Sequence, residues 1–337
     1  MHAQTQQGLQ HSSVGLQVYY GSFISSATKA AYMKDSYSYF GEISYIKGAT
    51  AYLPQSGIAV LYGNSGSKQY VGNIAAAYAF CNFNLYRTQK FSSSLRTGAG
   101  VGIIEKPYNV ETNHKNMLLG SKLNLFIHLL WKNEFAVAHD AFINAGISLS
   151  HLSNGTTKLP NLGLNVPALS FGLRYAFNHL KTEVIEQPPM FNKEIKWQLL
   201  ASAGIKQSPW INSNRRVVNV VSVEAAKQLS YNKKAALGLG LYHDPTFLLE
   251  DVDPTRERMT PKKDLNAALF GSYEPIIGRM SIPLQFGVYI IGKNHLHRFF
   301  QNVGARYMLS RRWAACLYLK THWGKADYIH AGLGYTF

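Results

Sequence analysis

No apolar run in this chain approaches the ~18 residues that a membrane-crossing helix needs, so a helical span is excluded. Charge is scarce as well. Asp, Glu, Lys and Arg make up 15% of the 337 residues, where a soluble domain averages nearer 25%, so the surface is not expected to be wet all round. Acids are the scarcer sign, 18 against 34 basic residues, for a formal net charge of +16. That balance suits an anionic partner such as a phosphorylated lipid. Charge alone would speak for nucleic acid, and no nucleic-acid partner is expected. Cysteine is nearly absent. Cys81 and Cys316 lie far apart without metal-ligand spacing, and Cys316 alternates with Ala314 and Tyr318 in a strand pattern, which predicts a buried free thiol. The acids of Asp244–Asp264 lack the spacing of a calcium loop, so neither metal nor cofactor is expected. No signal peptide is evident: Met1 runs directly into the polar HAQTQQ, which reads as the start of a trimmed, mature chain.

What the chain has instead is 21 Tyr, 17 Phe and 28 Gly. Few charges, many aromatics and no long apolar segment together point to a transmembrane antiparallel β-barrel, whose alternating spans escape hydropathy plots. Strand-like runs recur about every 20 residues, separated by turn chemistry. The first half gives eight: Leu16–Phe23, Ser36–Ile46, Gly57–Tyr62, Tyr70–Phe83, Leu95–Ile103, Leu123–Trp131, and two more flanking a polar loop within Ile143–Phe177. The pattern restarts at Ile195 and gives eight again, ending with Ala326–Phe337. Between them lies the polar stretch Asn178–Glu194, with Pro188-Pro189, the best linker in the chain.

The halves echo each other. SFGLRYAF at Ser170–Phe177 and HAGLGYTF at His330–Phe337 share Gly, then Tyr three later, then Phe two beyond. A terminal aromatic at this spacing resembles the signal by which the barrel-assembly machinery recognises bacterial outer-membrane barrels. The expected architecture is therefore an all-β chain of about 16 strands in two eight-strand units: residues 1–177, a linker at 178–194, and residues 195–337. One closed sheet removes every edge and is the expected closure; two tandem eight-stranded barrels are the alternative.

The organising stretch is Ile143–Phe177. Ile143, Ala145, Ile147 and Leu149 alternate with Asn144, Gly146, Ser148 and Ser150, a strand with one apolar face and one small or polar face. The apolar row continues, at the same odd numbers, into His151 and Ser153. A base and a nucleophile on a lipid-facing row suit chemistry on a lipid. The following loop, HLSNGTTKLPNLGLN, carries His-x-Ser-Asn and then Pro-Asn-x-Gly.

In those residues the chain resembles the outer-membrane lipid A 3-O-deacylases (PagL-type acyloxyacyl hydrolases). His151, Ser153, Asn154, Pro160, Asn161 and Gly163 match that family's hairpin in type and spacing, and the likeness extends over about residues 13–177. The resemblance implies an eight-stranded barrel, a serine nucleophile, no metal, and release of an ester-linked acyl chain from lipopolysaccharide. It makes Ser153 the nucleophile, His151 its general base, and Asn161, with Asn154, the oxyanion-stabilising group. The family's acid falls on Asn165, whose amide oxygen can fix the imidazole's tautomer without offsetting its charge. Either Asn165 suffices, or Glu105 or Glu111 from the Glu105–Asn116 loop reaches the histidine.

Barrel strands start from the periplasm, so the seventh ends at the outer surface, and about 9–11 residues cross the bilayer. His151 and Ser153 then lie at the depth of lipid A's ester linkages, in the outer membrane of a Gram-negative bacterium, among outer-membrane lipids. The second half offers THWGKAD at Thr321–Asp327, with Gly324 where a serine would stand. It reads as a degenerate repeat whose His322 faces inward with Tyr318 and Lys320. The rival to an esterase is a non-catalytic structural or pore-forming barrel with a relic motif.

Overall fold

The computed structural model describes residues 10–24, 32–50, 53–180, 190–207, 214–246, 264–292 and 298–337. Every regular element of any length among them is a β-strand. The chain divides into two compact units, Met1–Asn154 with Pro160–Gln187, and Gly155–Leu159 with Pro188–Phe337. Of the linker expected at 178–194, residues 181–189 lie outside the described residues, as does most of the Asp244–Asp264 loop.

The first unit is a closed antiparallel barrel of β1 (Gln10–Gly21), β2 (Ser38–Lys47), β3 (Gln55–Asn64), β4 (Asn73–Arg87), β5 (Phe91–Ile104), β6 (Leu123–Ala136), β7 (Ala141–Ser153) and β8 (Leu164–Leu180). It closes where β1 meets β8, with Val14 opposite Tyr175 and Leu16 opposite Leu173.

The second unit closes in the same way. Its strands are β9 (Ile195–Gln207), β10 (Arg215–Ser230), β11 (Lys233–His243), β12 (Leu265–Ile277), β13 (Met280–Ser281), β14 (Leu284–Ile291), β15 (Phe299–Met308), β16 (Trp313–His322) and β17 (Lys325–Thr336). β13 and β14 are one strand interrupted at Pro283, which has no N–H to give the ladder. β9 pairs with β17, placing Leu199 opposite Tyr335, so this unit too is an eight-position circuit. Of the two closures open to the eight-strand units, the tandem pair is the one observed. The single sixteen-strand sheet would need β8 free to pair onward, and β8 is taken by β1.

Alternation sorts side chains as the pleat requires. On β7, Ile143, Ile147 and Leu149 are exposed on the outer face, at 44%, 54% and 39%, while Ser148 and Ser150 are buried inside. An outward apolar face with a polar interior is the signature of a membrane barrel, and it holds in both units.

Among the described residues, both interiors are crossed by buried ion pairs. In the first, Glu42 pairs with Arg96 at 2.8 Å and accepts the hydroxyls of Tyr19 and Tyr78 at 2.7 and 2.6 Å. Nearby, Glu134 is held by Lys132 and Arg174. In the second, Arg306 bridges Glu224 and Glu274, at 2.8 and 3.2 Å, and Lys206 bridges Asp244 and Asp327, at 3.1 and 2.7 Å. The Lys320 ammonium lies among the rings of Tyr242, Tyr289, Phe300 and Tyr328. Buried charges of this kind persist only when paired and hydrogen-bonded. Cys81 and Cys316 are both free, and Cys316 is buried as its strand pattern implied.

Candidate active site

The β7–β8 hairpin builds the site at the rim of the first barrel. Its two strands pair rung by rung, Ile147 with Leu169, Leu149 with Pro167, and His151 with Asn165. The last rung brings the two side chains together: His151 Nδ1 lies 2.7 Å from Asn165 Oδ1. Both residues are half-buried. The row that begins lipid-exposed at Ile143 therefore ends under the rim loops. Ser153, two residues on, is 3% exposed, not open on the apolar face as its odd number implied.

Loops from two other connections, β1–β2 and β5–β6, produce that cover. The Ile24 N–H donates to Asn165 O at 2.9 Å, and the Gly163 N–H donates to Leu118 O at 3.0 Å. Asn154 Nδ2 donates to Ser121 Oγ at 2.8 Å. Ser153 Oγ is buried and makes no hydrogen bond among the described residues. A buried hydroxyl without a partner is uncommon in a folded chain and asks for a reason.

Asn154 and Asn161 also meet, across the loop. The Asn154 backbone N–H donates to Asn161 Oδ1 at 3.0 Å. This orientation leaves the Asn161 amide N–H₂ as the loop's available side-chain donor. Asn154, which the motif paired with Asn161 as an oxyanion-stabilising group, makes two bonds of its own here. Its backbone N–H is engaged by Asn161 and its amide by Ser121, so it ties the loop together.

The carboxylates considered as substitutes for the missing acid lie elsewhere. Glu105 Oε2 accepts the Asn73 N–H at 3.0 Å and sits against Gly72. Glu111 is in an exposed turn capped by Asn109 Oδ1, which accepts its N–H at 2.8 Å. Asn165 is the group that reaches His151. His322 of the second unit is buried, 3.2 Å from Asp327 Oδ2 through Nε2 and 2.9 Å from Phe299 O through Nδ1. Both its nitrogens face acceptors, as befits a structural residue.

Two contributors had been assigned no chemical role from the sequence. Gly163 has φ +77, and a Cβ there would stand 2.9 Å from His151 Cε1. The glycine of Pro-Asn-x-Gly thus clears space for the imidazole. Its place in the motif was the available signal. Ser121, which anchors Asn154, had none.

The family model described as lipid A 3-O-deacylase (PagL) matches residues 5–174, and one described as acyloxyacyl hydrolase, C-terminal domain, matches residues 195–337. The chain belongs to the lipid A 3-O-deacylase family. It is an outer-membrane β-barrel of the hydrolase class, and its second half, weakly similar by motif alone, has a family model of its own. Among solved structures, Neisserial surface protein A is 13% identical with a TM-score of 0.36, covering 49% of this chain and 97% of that one. The outer membrane enzyme PagL is 16% identical with a TM-score of 0.33, covering 47% of this chain and 97% of that one. No curated protein matches this chain by sequence.

Proposed function

We propose that the first barrel hydrolyses an ester-linked acyl chain of lipid A through Ser153, with His151 as general base. The observation that carries the reading is the 2.7 Å contact of His151 Nδ1 with Asn165 Oδ1. With the amide oxygen as acceptor, Nδ1 holds the proton and Nε2 keeps its lone pair, the form a base must have.

Ser153 Oγ gives its proton to Nε2 as it attacks the ester carbonyl. The tetrahedral oxyanion takes a hydrogen bond from Asn161 Nδ2, an amide held in place by the Asn154 N–H on its oxygen. The imidazolium then protonates the departing sugar hydroxyl, leaving an acyl-Ser153 ester that water, activated by His151, hydrolyses. Ser153 and His151 share no hydrogen bond in the resting geometry. Catalytic bonds of this kind often form only on substrate binding, and the orphaned Ser153 hydroxyl is available to make one.

The partners follow from this reading: lipopolysaccharide as substrate, outer-membrane lipids around both barrels, and the barrel-assembly machinery at the terminal aromatic. The setting is a Gram-negative outer membrane. Residues 1–177 form the catalytic unit, 178–194 a linker, and 195–337 a second, closed barrel.

Mass spectrometry of lipid A from cells with and without the protein tests the proposal. Loss of one acyl mass only when the protein is present is the expected result. Unchanged lipid A in both would leave the non-catalytic barrel standing.

A further inference from the structure

The β6–β7 ladder stops at the candidate nucleophile. Its last rung pairs Leu125 with Ser153, and Asn154 is the first residue beyond it. Side chains continue the contact from there. Asn154 Nδ2 donates to Ser121 Oγ at 2.8 Å, and that hydroxyl donates to Asn124 Oδ1 at 3.1 Å. Asn124 and Asn154 are each 3% exposed. Hydrogen bonds in so buried a place are strong when complete and costly when broken.

These bonds run in one direction only. Asn124 Nδ2 donates to Ser121 O at 3.0 Å and to Lys122 O at 3.2 Å, a place its oxygen could not take against two carbonyls. Asn124 Oδ1 is therefore the acceptor for the Ser121 proton. A serine has a single proton to give, so its oxygen is left to accept, and it accepts the Asn154 amide. Asn154 is thereby pinned by its side chain, with its backbone N–H aimed at Asn161 Oδ1, 3.0 Å away.

The same connection holds Asn161 from its other side. The Leu162 and Gly163 N–H groups donate to Met117 O and Leu118 O, at 3.4 and 3.0 Å. Fully buried Asn116 sets that stretch in turn. Its Oδ1 accepts the Leu118 and Leu119 N–H groups at 3.1 and 3.2 Å, and its Nδ2 donates to Lys106 O at 2.8 Å and Tyr70 O at 3.1 Å. Residues 116–124 thus grip the hairpin loop at two points, one on each side of Asn161. The Ser121 grip is made by side chains alone, so a substitution removes it without touching the backbone pairing.

We propose that Ser121, oriented by Asn124, is a positioning residue for the oxyanion amide, acting on Asn161 through Asn154. The role rests on the reading of Ser153 as nucleophile and Asn161 as oxyanion donor. An oxyanion donor is effective only when it is fixed before the charge develops. Without the Ser121 bond, Asn154 is free to turn and its N–H no longer holds the Asn161 oxygen. The loss then falls on the transition state, where the amide meets charge, and not on the bound ester.

Acyl release from purified lipid A in detergent micelles tests this in the full chain, with heat-modifiable migration reporting the fold of each variant. Ser121→Ala should lower kcat by about 10- to 50-fold at a nearly unchanged KM, less than the roughly 10²–10³ that removal of an oxyanion donor costs. Ser121→Thr, which keeps the hydroxyl, should restore the rate. Added to Asn161→Ala, Ser121→Ala should cost nothing further, because the amide it positions is already gone. A merely structural role would give the same loss in both backgrounds. That additivity, a Ser121→Ala protein as fast as the parent, or a loss confined to KM would overturn the proposal. Should Ser121→Ala fail to fold, Asn124→Ala takes its place, since it frees the Ser121 proton to turn on the Asn154 amide. It should show the same kcat loss and the same lack of additivity, and overturns the proposal if it does not. Ser153→Ala separates the two readings. Turnover retained there would sink the serine mechanism and this role with it, whereas turnover abolished there and unchanged in Ser121→Ala would sink the positioning role alone.

Discussion

Asn165 Oδ1 stands 2.7 Å from His151 Nδ1, on facing positions of β8 and β7. An amide therefore occupies the place where the family motif has an acid, in the geometry an acid would need. It can orient the ring, and it brings no charge. Asn165→Ala should lower acyl release by one to three powers of ten, about 1.4–4 kcal/mol of transition-state stabilisation. Asn165→Asp should match or exceed the parent, because an anion stabilises the imidazolium. Acyl release from purified lipid A by both variants checks this, and equal rates for Asn165→Ala and the parent would remove Asn165 from the mechanism.

Ser153→Ala should leave a heat-stable barrel and abolish acyl release. The hydroxyl removed has no hydrogen bond to lose among the described residues, so stability should change little. Retained turnover, in a variant that still migrates as a folded barrel, would show that Ser153 is not the nucleophile.

Much of this was legible in the sequence, and the rest was hidden for a physical reason. Period-two alternation marks a strand by itself, so β7 and β8 could be read from Ile143, Ile147 and Leu149 against Ser148 and Ser150. Closure could not. It depends on Val14 meeting Tyr175 and Leu199 meeting Tyr335, long-range pairings that leave no local pattern. The same division holds at the site. His151 and Asn165 were readable from the motif, whereas the burial of Ser153 and the tie from Ser121 to Asn154 depend on loops arriving from elsewhere in the chain.

Gly163→Ala should be damaging out of proportion to one methyl group. The residue has φ +77, and the new Cβ would press on the His151 ring at 2.9 Å. The backbone strain alone costs about 1–3 kcal/mol, and displacing the imidazole should lower kcat more than it raises KM. Unchanged kcat would mean that the ring has room to move without consequence.

Inside the first barrel, Glu42 is the shared partner of Arg96, Tyr19 and Tyr78. Glu42→Ala should destabilise by about 3–5 kcal/mol, since it leaves a buried guanidinium unpaired. A double change, Glu42→Ala with Arg96→Met, should recover much of that loss by removing the orphaned charge. Urea unfolding in vesicles measures both, and a double variant no better than the single would refute the pairing argument.

At the outer rim, Asp35 joins two loops of the first barrel, accepting the Lys68 and Gln69 N–H groups at 2.9 and 2.7 Å and the Ser36 hydroxyl at 3.0 Å. Burial acts to raise its pKa, but those N–H donors and the hydroxyl outweigh it and hold the carboxyl below its ordinary value. A depressed folded pKa means that the carboxylate's contribution is fully present above the unfolded pKa of about 3.9 and is lost as pH falls through the lower, folded value. Asp35 is mostly solvent-exposed, so the contribution is modest. Amide exchange at Lys68 and Gln69, compared at neutral pH and below pH ~3, should show protection that disappears in acid. In Asp35→Asn the neutral amide oxygen is the weaker acceptor, so protection should be lower at neutral pH and should no longer respond to acid. An Asp35→Asn protein that keeps the parent's pH profile would assign the acid sensitivity to another group.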